Sequence, residues 1–330
     1  MANFLSYYPT FRRVIIAFTL EKIAFKLCEA GIQNPWREAR LLVAFVSGAS
    51  YVDVLAIGKC AALTNCNQDK LEEALARRCS REPLTKIIGK ARFWKNEFIT
   101  TSETLDPRPE SEIVIEGVLH FFKDRSSSLT FLDIGTGTGC LLLSCLGEYE
   151  NSIGFGFDIN PKAVEIATQN AEQCRLSRRA FFFTRNWNDG ISAEALVLPG
   201  PRTGAEENFS QQECRVDVAN VSRLCSPDIV LCNPPYISTL HKASLDPETS
   251  FDPRLSLFGG LDGLAAYREL FSIIRRDISS KATFFFEIGC GQQGDVKEIA
   301  SENGFTCEAI LPDLNAIPRV MVFRRNTGAS

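Results

Sequence analysis

The 330-residue sequence predicts an α/β protein: a doubly wound, mostly parallel sheet preceded by a small helical bundle. Three observations carry this expectation. From about residue 129, short apolar runs alternate with stretches of helical periodicity, which is the pattern of successive β–α–β units. The first of those runs empties into a glycine-rich turn, Gly135-Thr136-Gly137-Thr138-Gly139, that opens a helix. Ahead of them, residues 14–80 place apolar side chains three and four apart. The chain is too long for one small core and divides naturally into two domains. Residues 1–88 form the expected helical domain, 89–107 a hairpin and linker, and 108–330 the α/β domain.

In order along the chain, helical periodicity covers 14–30, 35–47, 52–57 and 68–79, with breaks at Gly31, Gly48 and Thr64-Asn65. Pro35 suits a first helical turn, where its missing N–H costs nothing, and Asn34 is the expected cap. Between 81 and 108 the character changes to Pro83, Gly89, Phe93-Trp94 and an alternating Phe98-Ile99-Thr100-Thr101, closed by Pro107 and Pro109. That reads as a short hairpin and an irregular connection. A helix follows over 111–123. Strands are expected at 129–134, 153–159, 180–184, 228–232, 283–288, 305–310 and 320–323, with helices at 139–146 and 161–173. The alternation fails over 196–227, where Pro199, Gly200, Pro201 and Gly204 fall among mixed polar residues, the composition of a surface insertion.

Composition narrows the function. A hydrophobic content of 45% with 23% charged residues supports a packed core rather than disorder. The net charge of -4 supplies no global footprint for nucleic acid, and the basic pairs Arg77-Arg78, Arg178-Arg179 and Arg275-Arg276 read as solvated faces. The 12 cysteines form no C-x-x-C, and Cys140, Cys145 and Cys232 sit inside apolar runs, so they read as reduced core thiols. With only His120 and His241 in the chain, there is little material for a zinc site or a histidine triad, and no metal is expected. Apolar residues 14–20 follow Arg12-Arg13, but Glu21-Lys22 come at once and no small-residue cleavage site is evident. An amphipathic helix is the better reading; the absence of acids before Glu21 keeps an organellar presequence open. No apolar run approaches a membrane span, and a cytoplasmic location is expected.

The chemistry gathers at Asn233-Pro234-Pro235-Tyr236, directly after the apolar run 228–232. Neither proline can donate to a sheet ladder, so the strand stops where the asparagine begins and a planar amide is left at the sheet's mouth. Pro235 forces Pro234 into an extended backbone, which fixes the direction of its carbonyl. The Asn233 side-chain oxygen and the Pro234 carbonyl then form two acceptors able to face one NH₂ group, with Tyr236 as an aromatic wall. At the other turn, glycines permit tight dihedrals and close ligand approach. A dinucleotide fingerprint, G-x-G-x-x-G, would require glycine where Cys140 stands. The observed G-x-G-x-G behind Asp133 is similar instead to motif I of S-adenosylmethionine-dependent methyltransferases. Asp158, closing the next strand, is placed to accept ribose hydroxyls. In such a sheet both turns open on one crevice, where the strand order reverses.

With these pieces in order, the chain resembles the HemK-type protein-(glutamine-N5) methyltransferases that act on release factors. The resemblance spans roughly residues 20 to 325. It rests further on Arg81-Glu82-Pro83-Leu84, Ile87-Ile88-Gly89, Pro107-Arg108-Pro109-Glu110-Ser111-Glu112, Phe157-Asp158-Ile159, Gly259-Gly260-Leu261-Asp262-Gly263-Leu264 and Phe286-Glu287-Ile288-Gly289. It implies a Rossmann-like class I methyltransferase sheet behind a helical substrate-recognition domain, with S-adenosyl-L-methionine as cofactor. It also implies cofactor contacts from Gly135, Thr136, Gly137, Thr138, Gly139, Asp158, Trp187 and Asn233, and glutamine contacts from Asn233, Pro234, Pro235 and Tyr236. The implied substrate is the glutamine of the Gly-Gly-Gln motif in class I peptide release factors. Asn186 stands where the family has an aspartate before the tryptophan, Asp106 replaces an aliphatic residue, Ser111 replaces threonine, and 196–227 is longer than usual. The clamp would orient the amide lone pair and stabilise charge developing on nitrogen, with no strong general base required. Tyr236 is expected to pack on the amide plane, Arg108 and Ser111 to line the crevice, and Glu110 and Glu112 to act as helix N-terminal acids. Three other readings share these motifs: a ribosomal-protein glutamine methyltransferase, a nucleic-acid amino-methyltransferase, and a cofactor-binding scaffold that transfers nothing.

Overall fold

A computed structural model describes residues 19–57, 66–191 and 226–326, so the expected start of the first helix at 14–18 and most of the 196–227 insertion lie outside the described residues. The chain divides into two units, meeting in sequence between Ile88 and Gly89.

The first unit contains α1 (Leu20–Glu29), α2 (Pro35–Ser47), α3 (Tyr51–Leu55), α4 (Gln68–Cys79) and α5 (Leu84–Ile88). Their apolar stripes close on one core that includes Leu20, Ile23, Leu27, Leu42, Leu71, Leu75 and Ile87. Thr19 caps α1 by accepting the Lys22 N–H at 3.2 Å. The Arg78 guanidinium of α4 is buried against Glu38 of α2 at 2.6 Å; removing either partner would strand a buried charge. One expectation needs correction. Asn34 stands at the N-cap of α2, but it lies in the left-handed region with φ 53° and its side chain makes no cap hydrogen bond. It serves as a backbone turn residue, a conformation asparagine tolerates.

The second unit opens with a hairpin, β1 (Lys90–Phe93) and β2 (Asn96–Ile99). A 3-10 turn, Pro109–Ser111, then leads into α6 (Glu112–Phe121). The sequence sets 89–107 apart as a linker; the structure groups the hairpin with the sheet unit because its turn is tied down there. The Trp94 N–H donates to Glu112 at 2.6 Å and its indole N–H to Glu148 at 2.7 Å. The remaining elements are β3 (Thr130–Ile134), α7 (Cys140–Glu148), β4 (Ile153–Asp158), α8 (Pro161–Gln173), β5 (Ala180–Thr184), β6 (Ile229–Cys232), α9 (Arg254–Leu257), α10 (Ala265–Asp277), β7 (Thr283–Glu287), α11 (Gln293–Glu302), β8 (Phe305–Pro312) and β9 (Pro318–Arg325).

The seven-stranded sheet has the order β5-β4-β3-β6-β7-β9-β8. β5 through β7 are parallel, and β9 runs against both its neighbours. Period-two alternation sorts side chains to the two faces. Leu132, Ile134, Val230, Cys232, Phe284 and Phe286 pack with Tyr267 and Phe271 of α10 and Val296 of α11. Phe131, Ile229, Leu231 and Phe285 pack with α6, α7 and α8. Helices on both faces make this the doubly wound, mostly parallel sheet expected from the sequence. Each buried phenylalanine is worth roughly 1.5–3 kcal/mol, enough to fix the register. A one-residue slip would turn every such ring to the wrong face. No helix among the described residues is long and apolar enough to cross a membrane.

Candidate active site

The site follows from register. Ile134 of β3 pairs with Phe157 of β4 on one side and Cys232 of β6 on the other, and Cys232 pairs with Phe286 of β7. The next residue of each strand or its exit loop is Asp158, Gly135, Asn233 and Glu287. These four therefore form one row across the carboxyl edge of the sheet, at the point where the chain, having gone from β3 outward through β4 and β5, returns to β6 on the opposite flank. Ligands bind in open α/β sheets at such reversals.

A cavity of about 500 Å³ lies there. Of the residues expected at the site it is lined by Gly135, Thr136, Gly137, Thr138, Asp158, Trp187, Asn233, Pro234 and Pro235, together with Arg108 and Ser111. Gly139 and Tyr236 do not line it.

The glycine turn is held from behind. The Gly135 and Thr136 N–H groups donate to the Phe157 carbonyl at 2.9 and 3.0 Å, and the buried Asp133 carboxylate accepts the Thr136 hydroxyl at 2.7 Å. Gly137, with φ 54°, has open space where a Cβ would stand, whereas at Gly139, with φ 78°, a Cβ would press on Leu143 and Phe182 at 3.2 Å. Gly137 thus serves the cavity. Gly139 serves helix packing, which is why it stays out of the lining. Asp158 accepts the Gly137 N–H at 3.0 Å and the Asn160 N–H at 2.9 Å. A carboxylate has room for about four such bonds, so lone pairs remain for hydroxyls in the cavity. Burial raises the Asp158 pKa, against the pull of its backbone N–H bonds. Burial also pushes Asp133 up to about 7, with Asp158 nearby adding to the effect.

Trp187 stands over the turn, 3.9 Å from where a Cβ on Gly135 would lie, and its indole N–H donates to Glu269 of α10 at 3.0 Å. Asn186 turns inward to accept the Asn188 N–H at 3.0 Å. Its departure from the family's aspartate is absorbed as a local cap, and it does not line the cavity. Asp106, another of the departures, is buried and accepts the Thr100 hydroxyl. Arg108 pairs at 2.5 Å with Asp252, whose carboxylate is fully buried.

On the opposite wall, β6 ends at Cys232 and Asn233 is the first residue beyond it. The Asn233 Nδ2 donates to the Ser111 hydroxyl at 3.3 Å, and among the described residues no donor reaches its Oδ1. Among the described residues no donor reaches the Pro234 carbonyl. The turn after it is clasped by glycines: a Cβ on Gly259 would meet the Pro235 carbonyl oxygen at 2.4 Å, and one on Gly263 the Tyr236 carbonyl oxygen at 2.3 Å. Backbone bonds join Ile237 to Leu257 and Gly259, at 2.9 and 3.0 Å, and the Gln292 amide donates to the Tyr236 carbonyl at 3.0 Å. Here lies the physical reason for the glycines at 259–263: the turn's backbone fits only against a surface without side chains.

Tyr236 corrects an expectation. Its ring packs against the core under α10 and β7, and its hydroxyl donates to Glu287 Oε1 at 3.2 Å. It supports the turn from below and forms no cavity wall, because Gly289 leaves its ring a place inside, 3.1 Å from a Cβ position. Sequence reasoning singled out neither Glu287 nor Gln292 as site residues. The signal for Glu287 was present: an acid ending a run of three phenylalanines, at the strand-end position Asp158 holds on β4.

A model of the PrmC N-terminal domain matches residues 19–89. A release factor glutamine methyltransferase of Rhodospirillum rubrum is 33% identical over 313 residues, 94% of this chain and 86% of that one. That of Agrobacterium fabrum is 32% identical over 304 residues, 91% and 94% of the two chains. That of Caulobacter vibrioides is 31% identical over 302 residues, 91% and 93%.

Proposed function

The chain belongs to the release factor glutamine methyltransferase family, and from that premise we propose that it methylates the N5 amide of the glutamine in the Gly-Gly-Gln motif of class I peptide chain release factors. S-adenosyl-L-methionine is the methyl donor. The observation that carries the reading is one cavity bounded on one side by the glycine turn and Asp158 and on the other by Asn233 and Pro234 with free acceptors.

The donor fits this cavity on grounds internal to the chain: an open glycine at 137, a strand-end carboxylate with spare lone pairs, and an indole over the turn. Gly135, Thr136, Gly137, Thr138, Asp158 and Trp187 would hold it. When bound, it supplies a methyl group on a sulfonium that needs no further activation.

The difficulty lies with the acceptor, whose amide nitrogen shares its lone pair with the carbonyl. Asn233 Oδ1 and the Pro234 carbonyl accept its two N–H groups, turn the lone pair toward the donor and stabilise positive charge as it develops on nitrogen. The nitrogen then loses a proton to solvent, so no strong base is needed. Ser111 holds the Asn233 amide so that its oxygen, and not its NH₂, meets the substrate. Tyr236 acts from beneath by fixing the turn.

The test is peptide mass spectrometry of a purified class I release factor after incubation with the protein and S-adenosylmethionine. A gain of one methyl on the Gly-Gly-Gln glutamine is expected. No gain there, with label instead on a ribosomal protein or on nucleic acid, would overturn the substrate assignment.

A further inference from the structure

Asn160 joins three parts of the donor side of the cavity, and its side chain takes no part in the clamp. It stands at the N-cap of α8 with an extended backbone, φ -89°, and its Oδ1 accepts the Lys162 N–H at 3.1 Å. Its backbone N–H donates to Asp158 Oδ1 at 2.9 Å, while the Gly137 N–H donates to Asp158 Oδ2 at 3.0 Å. Its Nδ2 reaches away from the helix, to the Glu103 carbonyl at 3.1 Å and to Glu103 Oε2 at 3.3 Å. Glu103 lies 57 positions earlier in the chain, in the connection between β2 and α6. A turn presents it there: the Thr104 N–H donates to the Thr101 carbonyl at 3.3 Å and the Glu103 N–H to the Thr101 hydroxyl at 3.1 Å. Every residue from Glu103 to Arg108 lines the cavity, as do Asp158 and Asn160.

We propose that Glu103 and Asn160 form a latch that positions Asp158 for the ribose of the donor and fastens the 103–108 segment as a wall of the donor's end of the cavity. The proposal rests on the donor-binding role given to Asp158 above and adds the two positioning residues that set it.

The valence of the amide decides its orientation. A primary amide has two N–H bonds on nitrogen and lone pairs on oxygen. In Asn160 both N–H bonds find acceptors on Glu103, and the oxygen holds the helix cap. Turned over, the amide would set its NH₂ against the Lys162 N–H and its oxygen against two oxygens of Glu103, and both ends would repel. Glu103 therefore holds the Asn160 side chain in one place, and with it the backbone N–H that aims the Asp158 carboxylate. The bonds from Asn160 and Gly137 fall on different oxygens of Asp158, which leaves lone pairs on both. Two acceptors side by side match the two adjacent hydroxyls of a ribose. Glu103 also pairs with Lys162 at 3.0 Å, but both side chains of that pair are exposed, and such pairs contribute little. The partly buried amide bonds are the working part of the latch.

The test uses the full chain and reads S-adenosylmethionine affinity by calorimetric titration, beside the melting temperature of the unliganded protein. Asn160→Ser keeps a good helix cap but has no NH₂ for Glu103, and Glu103→Ala removes the carboxylate acceptor. Each should weaken donor binding by about fivefold to tenfold, the loss of one partly buried hydrogen bond, while melting stays within a few degrees of wild type. A merely structural tie would lower the melting temperature and leave the affinity. Because both changes cut one connection, the double variant should bind no more than about twofold more weakly than the weaker single. Glu103→Gln, which keeps an acceptor for Nδ2, and Lys162→Gln, which leaves the amide bonds in place, should both stay within about twofold of wild type. Asn160→Ser or Glu103→Ala with wild-type affinity, single losses that multiply in the double variant, or a Glu103→Gln protein as weak as Glu103→Ala would overturn the proposal. Failure of wild type to bind S-adenosylmethionine would instead overturn the donor assignment of the cavity, and the latch with it.

Discussion

At the scale of single residues, the site depends on atoms that must point one way. Asn233 was legible in the sequence because two prolines end the strand behind it, and the backbone does the rest. Tyr236 was not, since the direction of its ring depends on Glu287 and Gly289, which reach it only through the fold. The glycines at 259 and 263 belong to this scale as well. Gly259 has an ordinary backbone conformation, so what excludes a side chain there is space: an added Cβ would lie 2.4 Å from the Pro235 carbonyl oxygen and 2.7 Å from that of Gly263. Gly259→Ala should therefore push the turn outward, costing about 1–3 kcal/mol of stability. Its kcat should fall at least tenfold, more than its melting temperature implies. A normal kcat in a folded Gly259→Ala protein would show that the turn tolerates displacement.

At the scale of elements, the glycine turn is held by a helix and a hairpin distant in sequence. Asn170 of α8 is fully buried. It accepts the Ile99 N–H at 2.7 Å and donates to the Ile99 carbonyl at 3.1 Å and the Thr138 carbonyl at 2.9 Å, tying β2 and the glycine turn to one side chain. Asn170→Ala would leave three backbone groups without that partner, at about 2–3 kcal/mol. S-adenosylmethionine affinity should fall with it, because Thr138 belongs to the turn. Calorimetric melts and titrations of the variant check both; unchanged melting would remove the tie. Periodicity read the strand–helix order from 129 to 184 within a residue or two at most ends, since alternating apolar burial is a local signal. The hairpin's attachment was not readable: Trp94 finds Glu112 and Glu148 only once α6 and α7 are packed. Asn34 shows a similar limit, for the residue type suits both a side-chain cap and a left-handed turn.

At the scale of the molecule, the row Asp158, Gly135, Asn233 and Glu287 is a consequence of strand order, and strand order is what a single sequence hides best. The motifs could be placed at strand ends from the sequence, but their adjacency waited on β6 lying beside β3. Crowding acids at that edge has a thermodynamic signature. Asp133 and Glu287 are both raised to about 7 by burial, from ordinary values of 3.8 and 4.5. Between roughly pH 4.5 and 7 the folded state thus holds protons that the unfolded chain has released, so stability falls as pH rises through that window. The contribution is on the order of 4 kcal/mol for Asp133 and 3 kcal/mol for Glu287. Melting temperature should be several degrees lower at pH 8 than at pH 5, and Glu287→Gln should flatten part of that slope. A melting temperature that rises over the same range would contradict the raised pKa values.

The central claim is that Asn233 works on the acceptor and that the glycine turn, Asp158 and Trp187 hold the donor. Its most direct test is one variant measured twice: Asn233→Ala, by calorimetric titration with S-adenosylmethionine and by single-turnover methylation of a release factor. Donor affinity should stay within about threefold of wild type while the methylation rate falls by about 10²–10³, the loss expected when one prearranged group is removed from a developing charge. A methylation rate within tenfold of wild type, or a loss explained wholly by weaker donor binding, would contradict it.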